Sequence, residues 1–405
     1  MHLTKIEEEM LAGKMGPAVE LAMKTIVQMG EGLDAERLIA TEGSHLGNVD
    51  LLRRCTGYIG IVEKFVELGA EVQIPTSVNP YPADPRNSES PTIPEVFQGP
   101  SPLEDYYRRL QVIPNWTCTP YLYGNIPRFG QHLSWEESSA VIYVNSVIGA
   151  RANREPILMD LVSAITGRTL HSGLHMDENR RGEILCNVKL KELKCDDFAA
   201  IGYYLGKVCG TAIPVIDGIQ QKASMASLKN MGAAAASTGA ISMYHIPGLT
   251  PEAPTLEKAL GDRKPTEIVE IDDRVLEETK EEMSSAGHGG EIDIVGVGCP
   301  HYTFDEVVSI ARHLKGKKVK DGVQLWICTH QGAIELAKQQ GIAEIIKEAG
   351  GRLFSGCLYC LHTVNPYADM RLMSDSGKIC YYRRALYGTQ RECVAAALSG
   401  RGGER

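Results

Sequence analysis

The sequence predicts an α/β fold of several domains, with parallel sheets and a ligand site in the cleft between domains. Three observations carry this expectation. At 405 residues the chain exceeds the length at which one hydrophobic core keeps growing. From residue 291 onward, strand-like and helix-like stretches alternate, as they do when parallel strands are joined by right-handed helical crossovers. Glycine-flanked cysteines fall at predicted strand ends, and in open α/β sheets that edge is where ligands bind.

In chain order, apolar residues at helical spacing predict two helices within 4–30. Residues 37–41 read as a short strand, 42–50 (EGSHLGNVD) as an exposed loop, 57–68 as a helix and 71–75 as a strand running into TSVNP. The stretch 81–103 is rich in Pro, Ser, Asn and Glu and reads as a surface insertion. Residues 115–155 are the densest in reactive side chains. Pro120, Gly124, Pro127 and Gly130 hold Cys118 in a loop. Ser134 followed by Glu137 fits a capping box, which places the Glu137 carboxylate and the free N–H groups of Ser138 and Ser139 at a positive helix start suited to an anion. Arg151 and Arg154 are placed to brace domains through internal carboxylates.

Residues 165–190 gather His171 and His175 among turn glycines, without the helical H-x-x-x-H and Glu of a zinc site. The small, apolar stretch 196–245 predicts tightly packed helices and strands. Residues 262–285 read as a linker and the first helix of another domain, giving domains 1–261 and 262–405. Then follow a strand at 291–298, a helix at 303–314, a strand at 323–330, a helix at 332–350 and a strand at 352–356.

Composition excludes several functions. A net charge of -9 without a basic stripe argues against nucleic acid, while local cations remain available for a small anionic substrate. No apolar run is long enough for a membrane helix. The opening MHLTKIEEEMLAG lacks the apolar core of a secretory leader, so a cytoplasmic protein is expected. Eleven cysteines, an odd number, do not suggest a disulfide framework.

Cys299 and Cys357, each preceded by glycine at a strand end, together with Cys118 supply three soft ligands around one open coordination position. Such thiolates suit an iron-sulfur cluster, whose exposed iron acts as a Lewis acid. His301, just after Cys299 and Pro300, belongs to the same neighbourhood. Cys357 and Cys360 instead form a C-x-x-C pair open to thiol redox or metal-binding chemistry, a different class of function. Cys55, Cys186, Cys195, Cys209, Cys328 and Cys393 lie in apolar or helical patterns and read as packing residues.

At these residues the sequence resembles the aconitase X family, a hydro-lyase branch of the aconitase superfamily. The likeness rests on TCTPY at 117–121, ESSAV at 137–141, NSVIGAR at 145–151, ENRRG at 178–182 and GCPH at 298–301. It implies an aconitase-like fold and a cluster, 4Fe-4S in preference to 2Fe-2S, on Cys118, Cys299 and Cys357. It implies substrate contacts from Gly47, Asn48, Val49, Asn79, Pro80, Glu137 and Ser138, and from Lys378 in SDSGK. It also implies a separate small subunit, a swivelling domain that supplies the proton-abstracting serine. The reaction implied is loss of water from a β-hydroxy carboxylate, with cis-3-hydroxy-L-proline favoured over mevalonate 5-phosphate. The sequence departs from the family at Ser355-Gly356-Cys357, where Asp-Thr-Cys is usual, in lacking a glycine pair after Arg154, and in the insertion.

Overall fold

A computed structural model describes residues 1–47, 56–82, 84, 87–91, 102–220, 222–287, 289–363 and 366–403. The two N-terminal helices are Lys5–Leu11, started by a reciprocal Thr4/Glu7 capping box, and Pro17–Gly32, with proline at its first position. Five short strands follow: β1 (Leu38–Ala40), β2 (Ser44–Leu46), β3 (Thr76–Val78), β4 (Ser134–Trp135) and β5 (Arg168–Leu170). β1 pairs antiparallel with β5, and the parallel sheet β3-β2-β4 lies apart. Helices Thr56–Glu67 and Ile157–Thr166 belong to the same region, and its core gathers Met23, Ile26, Phe65, Trp116 and Leu161.

Three local expectations change here. Residues 44–46 form a fully buried strand where an exposed loop was expected. Their polar groups are met inside, Ser44 by the Asp160 carbonyl and His45 by Ser77 and Asn79, so burial leaves nothing unsatisfied. The neighbouring strand is Thr76–Val78, later than the expected 71–75. Ser134 sits in β4 and caps no helix; Glu137 itself is the N-cap of Ser138–Tyr143.

The middle region holds β6 (Ile184–Val188), β7 (Pro214–Asp217) and β8 (Glu267–Ile271) in parallel order β7-β6-β8. Its helices Phe198–Cys209 and Met225–Thr238 pack so closely that a Cβ on Gly202 would meet the Met231 carbonyl at 2.1 Å. Residues 262–285, read as a linker and helix, supply β8 and the helix Asp273–Met283, which packs chiefly on Phe198–Cys209.

The last region is a five-stranded parallel sheet, β11-β10-β9-β12-β13, made of β9 (Ile294–Tyr302), β10 (Gln324–Thr329), β11 (Gly351–Phe354), β12 (Leu372–Ser374) and β13 (Ala385–Tyr387). The central strand β9 is almost wholly buried, as a parallel strand covered on both faces must be. The single helix expected at 332–350 is two, Gln331–Gln339 and Ile342–Glu348, parted at Gly341 with φ 70°. One large core runs from Trp135 and Ile142 to Ile294, Trp326 and Phe354, fastening the regions around a common cleft.

Candidate active site

A cavity of ≈ 400 Å³ occupies that cleft. One group of lining residues is sulfur: Cys118, Cys299, Cys357 and Cys360. Another is polar: Asn79, Glu136, Glu137, Ser139 and Lys378. Pro80, Pro300, Tyr359 and Tyr382 complete it.

Backbone geometry fixes the sulfur group. Gly298 takes φ +91° with its Cα pressed on β10, where a Cβ would meet the Cys328 carbonyl at 2.0 Å, so only glycine can precede Cys299 there. Cys299 lies within β9, where the pairing with β10 shifts register between Ile327 and Thr329, and not beyond the strand as expected. Cys357 follows β11 as the N-cap of the short helix Leu358–Leu361, and its N–H donates to the Tyr81 carbonyl at 2.7 Å. The Cys118 loop is tied to this sheet through Ser355, whose hydroxyl donates to the Trp116 carbonyl at 3.0 Å. His301 closes the arrangement. Its Nε2 donates to the Gly356 carbonyl (2.9 Å), its Nδ1 accepts from the Thr117 hydroxyl (2.9 Å), and its backbone N–H donates to Cys118 Sγ (3.3 Å). Burial keeps this ring neutral, lowering it to about 3. His301 therefore braces the cysteine loops from behind, with both ring nitrogens occupied, and does not line the cavity.

Burial also raises the thiols of Cys118 and Cys299, the latter to about 12, whereas the Cys360 thiol 2.9 Å away draws Cys357 below its ordinary value. Among the described residues, no three His, Cys, Asp or Glu side chains are grouped tightly enough to hold a single metal ion.

The polar group is fixed by side chains. Lys378, in the first turn of Gly377–Tyr382, contacts Glu137 Oε1 at 2.5 Å, with the two side chains only 15% and 17% exposed. Ser139 donates to the same carboxylate through its N–H (3.2 Å) and hydroxyl (2.7 Å). Burial alone would raise Glu137, but Lys378 and Ser139 bring it down to about 2. Burial also opposes the charge on Lys378, yet Glu137 and then Cys299 hold it above its ordinary value. Asn79 donates to Glu136 (2.6 Å) and accepts from His45 Nε2 (3.0 Å), while His45 Nδ1 accepts from Ser77 (2.8 Å). That chain fixes which way the amide points.

Of the expected site residues, the cavity unites Cys118, Cys299, Cys357, Glu137, Ser139, Lys378, Asn79 and Pro80. Ser138 is half-buried at the first position of its helix, outside the lining. Gly47 lies close behind Glu136, and Asn48 and Val49 lie outside the described residues, as does most of the second half of the 81–103 insertion. Arg151 pairs with Asp177 away from the site. Glu136 was missed, although its position directly before the capping Glu137 was a signal.

These features define a class: a multi-domain α/β enzyme whose reaction chamber lies where its sheets meet. The chain belongs to the aconitase X family, whose dehydratases are hydro-lyases; sequence profiles of the Aconitase X first, second and third domains match residues 1–178, 182–281 and 292–399. It is similar to the phosphomevalonate dehydratase large subunit of Thermococcus kodakarensis, 33% identical over 387 residues and 95% of each chain. It is also similar to a cis-3-hydroxy-L-proline dehydratase of Pseudomonas aeruginosa, 32% identical over 413 residues, 99% of this chain and 70% of the relative. The crystal structure of Thermococcus kodakaraensis aconitase X in its holo-form superimposes with a TM-score of 0.87 at 32% identity, over 98% of this chain and 100% of that one. No helix of the described residues is long and apolar enough to cross a membrane.

Proposed function

We propose that this chain is the large subunit of a cytoplasmic dehydratase acting on cis-3-hydroxy-L-proline. The observation that carries the substrate is the charge of the cavity. Among its described lining residues, Lys378 is the one cation, set beside two carboxyl groups. A zwitterionic amino acid matches that set, its carboxylate meeting Lys378 and its ammonium meeting the ionised Glu137. A phosphate dianion would meet the same single lysine and two carboxyl groups, with no second cation among the described lining residues to balance its charge.

The donor set suits an iron-sulfur cluster, 4Fe-4S or 2Fe-2S. Three thiols, one on the loop after Trp116, one in β9 and one in the turn after β11, line one cavity, a soft donor set that would hold such a cluster. Bound by Cys118, Cys299 and Cys357, such a cluster supplies Lewis acidity toward a departing hydroxyl. The chain's own residues orient the substrate: Glu137 and Lys378 grip its two charges, and Asn79, held by His45, keeps the Glu136 carboxyl in place. The base that removes the carbon-bound proton comes from a separate small subunit, a reading supported by the relatives described as large subunits. Ten free cysteines among the described residues accord with a reducing compartment.

Mevalonate 5-phosphate is the second reading, favoured by the near-complete overlap with relatives acting as phosphomevalonate dehydratase large subunits. The enzyme reconstituted with its small subunit and assayed on both compounds decides between them. Turnover of the hydroxyproline is expected, turnover of the phosphate alone would reverse the assignment, and inactivity toward both would remove the substrate.

A further inference from the structure

The second carboxyl in the cavity, Glu136, has a setting that neither charge pairing nor helix capping explains. Lys378 pairs with Glu137 in this structure, and among the described residues no lysine, arginine or histidine forms an ion pair with Glu136. Its space is made by Gly47, where a Cβ would stand 2.8 Å from Oε1. Behind it lies the wholly buried Asp160, whose carboxyl feels the Glu136 charge and whose Oδ2 has no hydrogen-bond partner.

From Asp160 a buried series continues outward. The Ser134 hydroxyl lies 3.0 Å from Asp160 Oδ1 and 2.6 Å from Glu155 Oε2. One hydroxyl carries one proton, so both contacts are satisfied only when one carboxyl is protonated and donates back. Glu155 Oε1 lies 3.9 Å from His175 Nε2, a buried nitrogen with no hydrogen-bond partner, and His175 Nδ1 lies 2.9 Å from Nδ1 of the half-buried His132.

We propose that Glu136 is the acid of this site, holding a proton for the oxygen that leaves the substrate, and that Asp160, Ser134, Glu155, His175 and His132 return that proton from solvent. The inference rests on the dehydratase reading. In the reaction the substrate C–H electron pair becomes the second carbon–carbon bond as the C–O bond breaks. The oxygen keeps the C–O pair, takes the Glu136 proton and departs as water, while the carbon-bound proton passes to the partner's base. Glu136, left as a carboxylate, is reprotonated through Asp160.

The electrostatics agree. Burial and then Glu137 raise Glu136 to about 8, against the opposing Lys378 and Asn79. Burial, then Glu155 and Glu136, raise Asp160. The other groups facing this carboxyl are Tyr58, kept neutral chiefly by burial, and His45 behind Asn79, lowered to about 4 by burial.

Infrared titration and steady-state kinetics of the reconstituted two-chain enzyme test the inference. In the difference spectrum between parent and Glu136→Gln a protonated-carboxyl band is expected at neutral pH, fading above about pH 8, while the band of the Asp160–Glu155 pair is common to both and cancels. A difference spectrum without that band overturns the inference whatever the substrate. In kinetics, Glu136→Gln is expected to lower kcat by roughly 10²- to 10⁴-fold with little change in KM and to lose the alkaline limb, while Glu136→Asp recovers part of the rate. Asp160→Asn should lower kcat less and enlarge the solvent deuterium isotope effect, and an unchanged effect would remove the relay. A parent inactive on either hydroxy acid would sink the functional reading and leave the band to judge Glu136; an active parent whose Gln variant keeps its kcat would sink the inference alone.

Discussion

Cys118, Cys299 and Cys357 are held by backbone, whereas Glu136, Glu137 and Asn79 are held by one another. Each thiol hangs from a turn or strand that the main chain fixes: Gly298 against Cys328, Gly356 against Pro82, the His301 N–H on Cys118. Each carboxyl keeps its place through a partner side chain from a distant segment, Lys378 for Glu137 and Asn79 for Glu136, with His45 and Ser77 behind. Single substitutions should therefore act differently. On the sulfur side, loss of a thiol removes a donor and leaves the frame intact. On the polar side, loss of one partner strands a buried charge, which harms stability as well as rate.

The largest effect is expected at Cys118. Cys118→Ala should abolish turnover, a loss of roughly 10³-fold or more, and bleach the visible sulfur-to-iron absorption while the protein stays folded. Retained colour and rate would show that Cys118 is no ligand. Next comes Lys378→Met, which leaves the Glu137 carboxylate without its counter-charge. Here kcat/KM should fall about 100-fold and stability by roughly 2–3 kcal/mol, less than for a fully buried pair because both side chains keep some solvent contact. If the rate falls and denaturant unfolding is unchanged, the polar side is no less backbone-fixed than the sulfur side and the contrast fails.

The same contrast governs what could be read from the sequence. Gly298-Cys299 and Gly356-Cys357 were legible through their glycines, a local signal, although Cys299 lies within β9 and not past the end of a strand. The alternation of the last sheet was legible because buried parallel strands are continuously apolar. Glu137 was legible as a cap, though the wrong partner was chosen for it. Ser44 and His45 were not legible: two polar residues look exposed, and the atoms that satisfy them lie 116 and 32 residues away. Lys378 came only through likeness to a family, since nothing near position 378 announces an ion pair with Glu137, 241 residues distant. The role of His301 was half legible, its neighbourhood from Cys299 and its bracing geometry only from the fold. In the helix expected at 332–350, Gly341 broke what periodicity alone joined.

The smallest predicted effect is the sharpest probe of the polar side, because its adjacent carboxyls move stability in opposite directions with pH. Glu137 is lowered from 4.5 to about 2, so its contribution is present above pH 4.5 and is lost as pH falls toward 2. Glu136 is raised from 4.5 to about 8. The unfolded chain releases that proton first, so stability falls as pH rises from 4.5 through 8 and then levels. Glu136→Gln removes this alkaline loss. The variant should match the parent near pH 4.5 and melt a few degrees higher above pH 8, even while its turnover collapses. Melting temperatures across that range would decide it. Parallel curves for parent and variant would mean that Glu136 is ionised like a surface carboxylate and that Asn79 alone, without burial, sets its state.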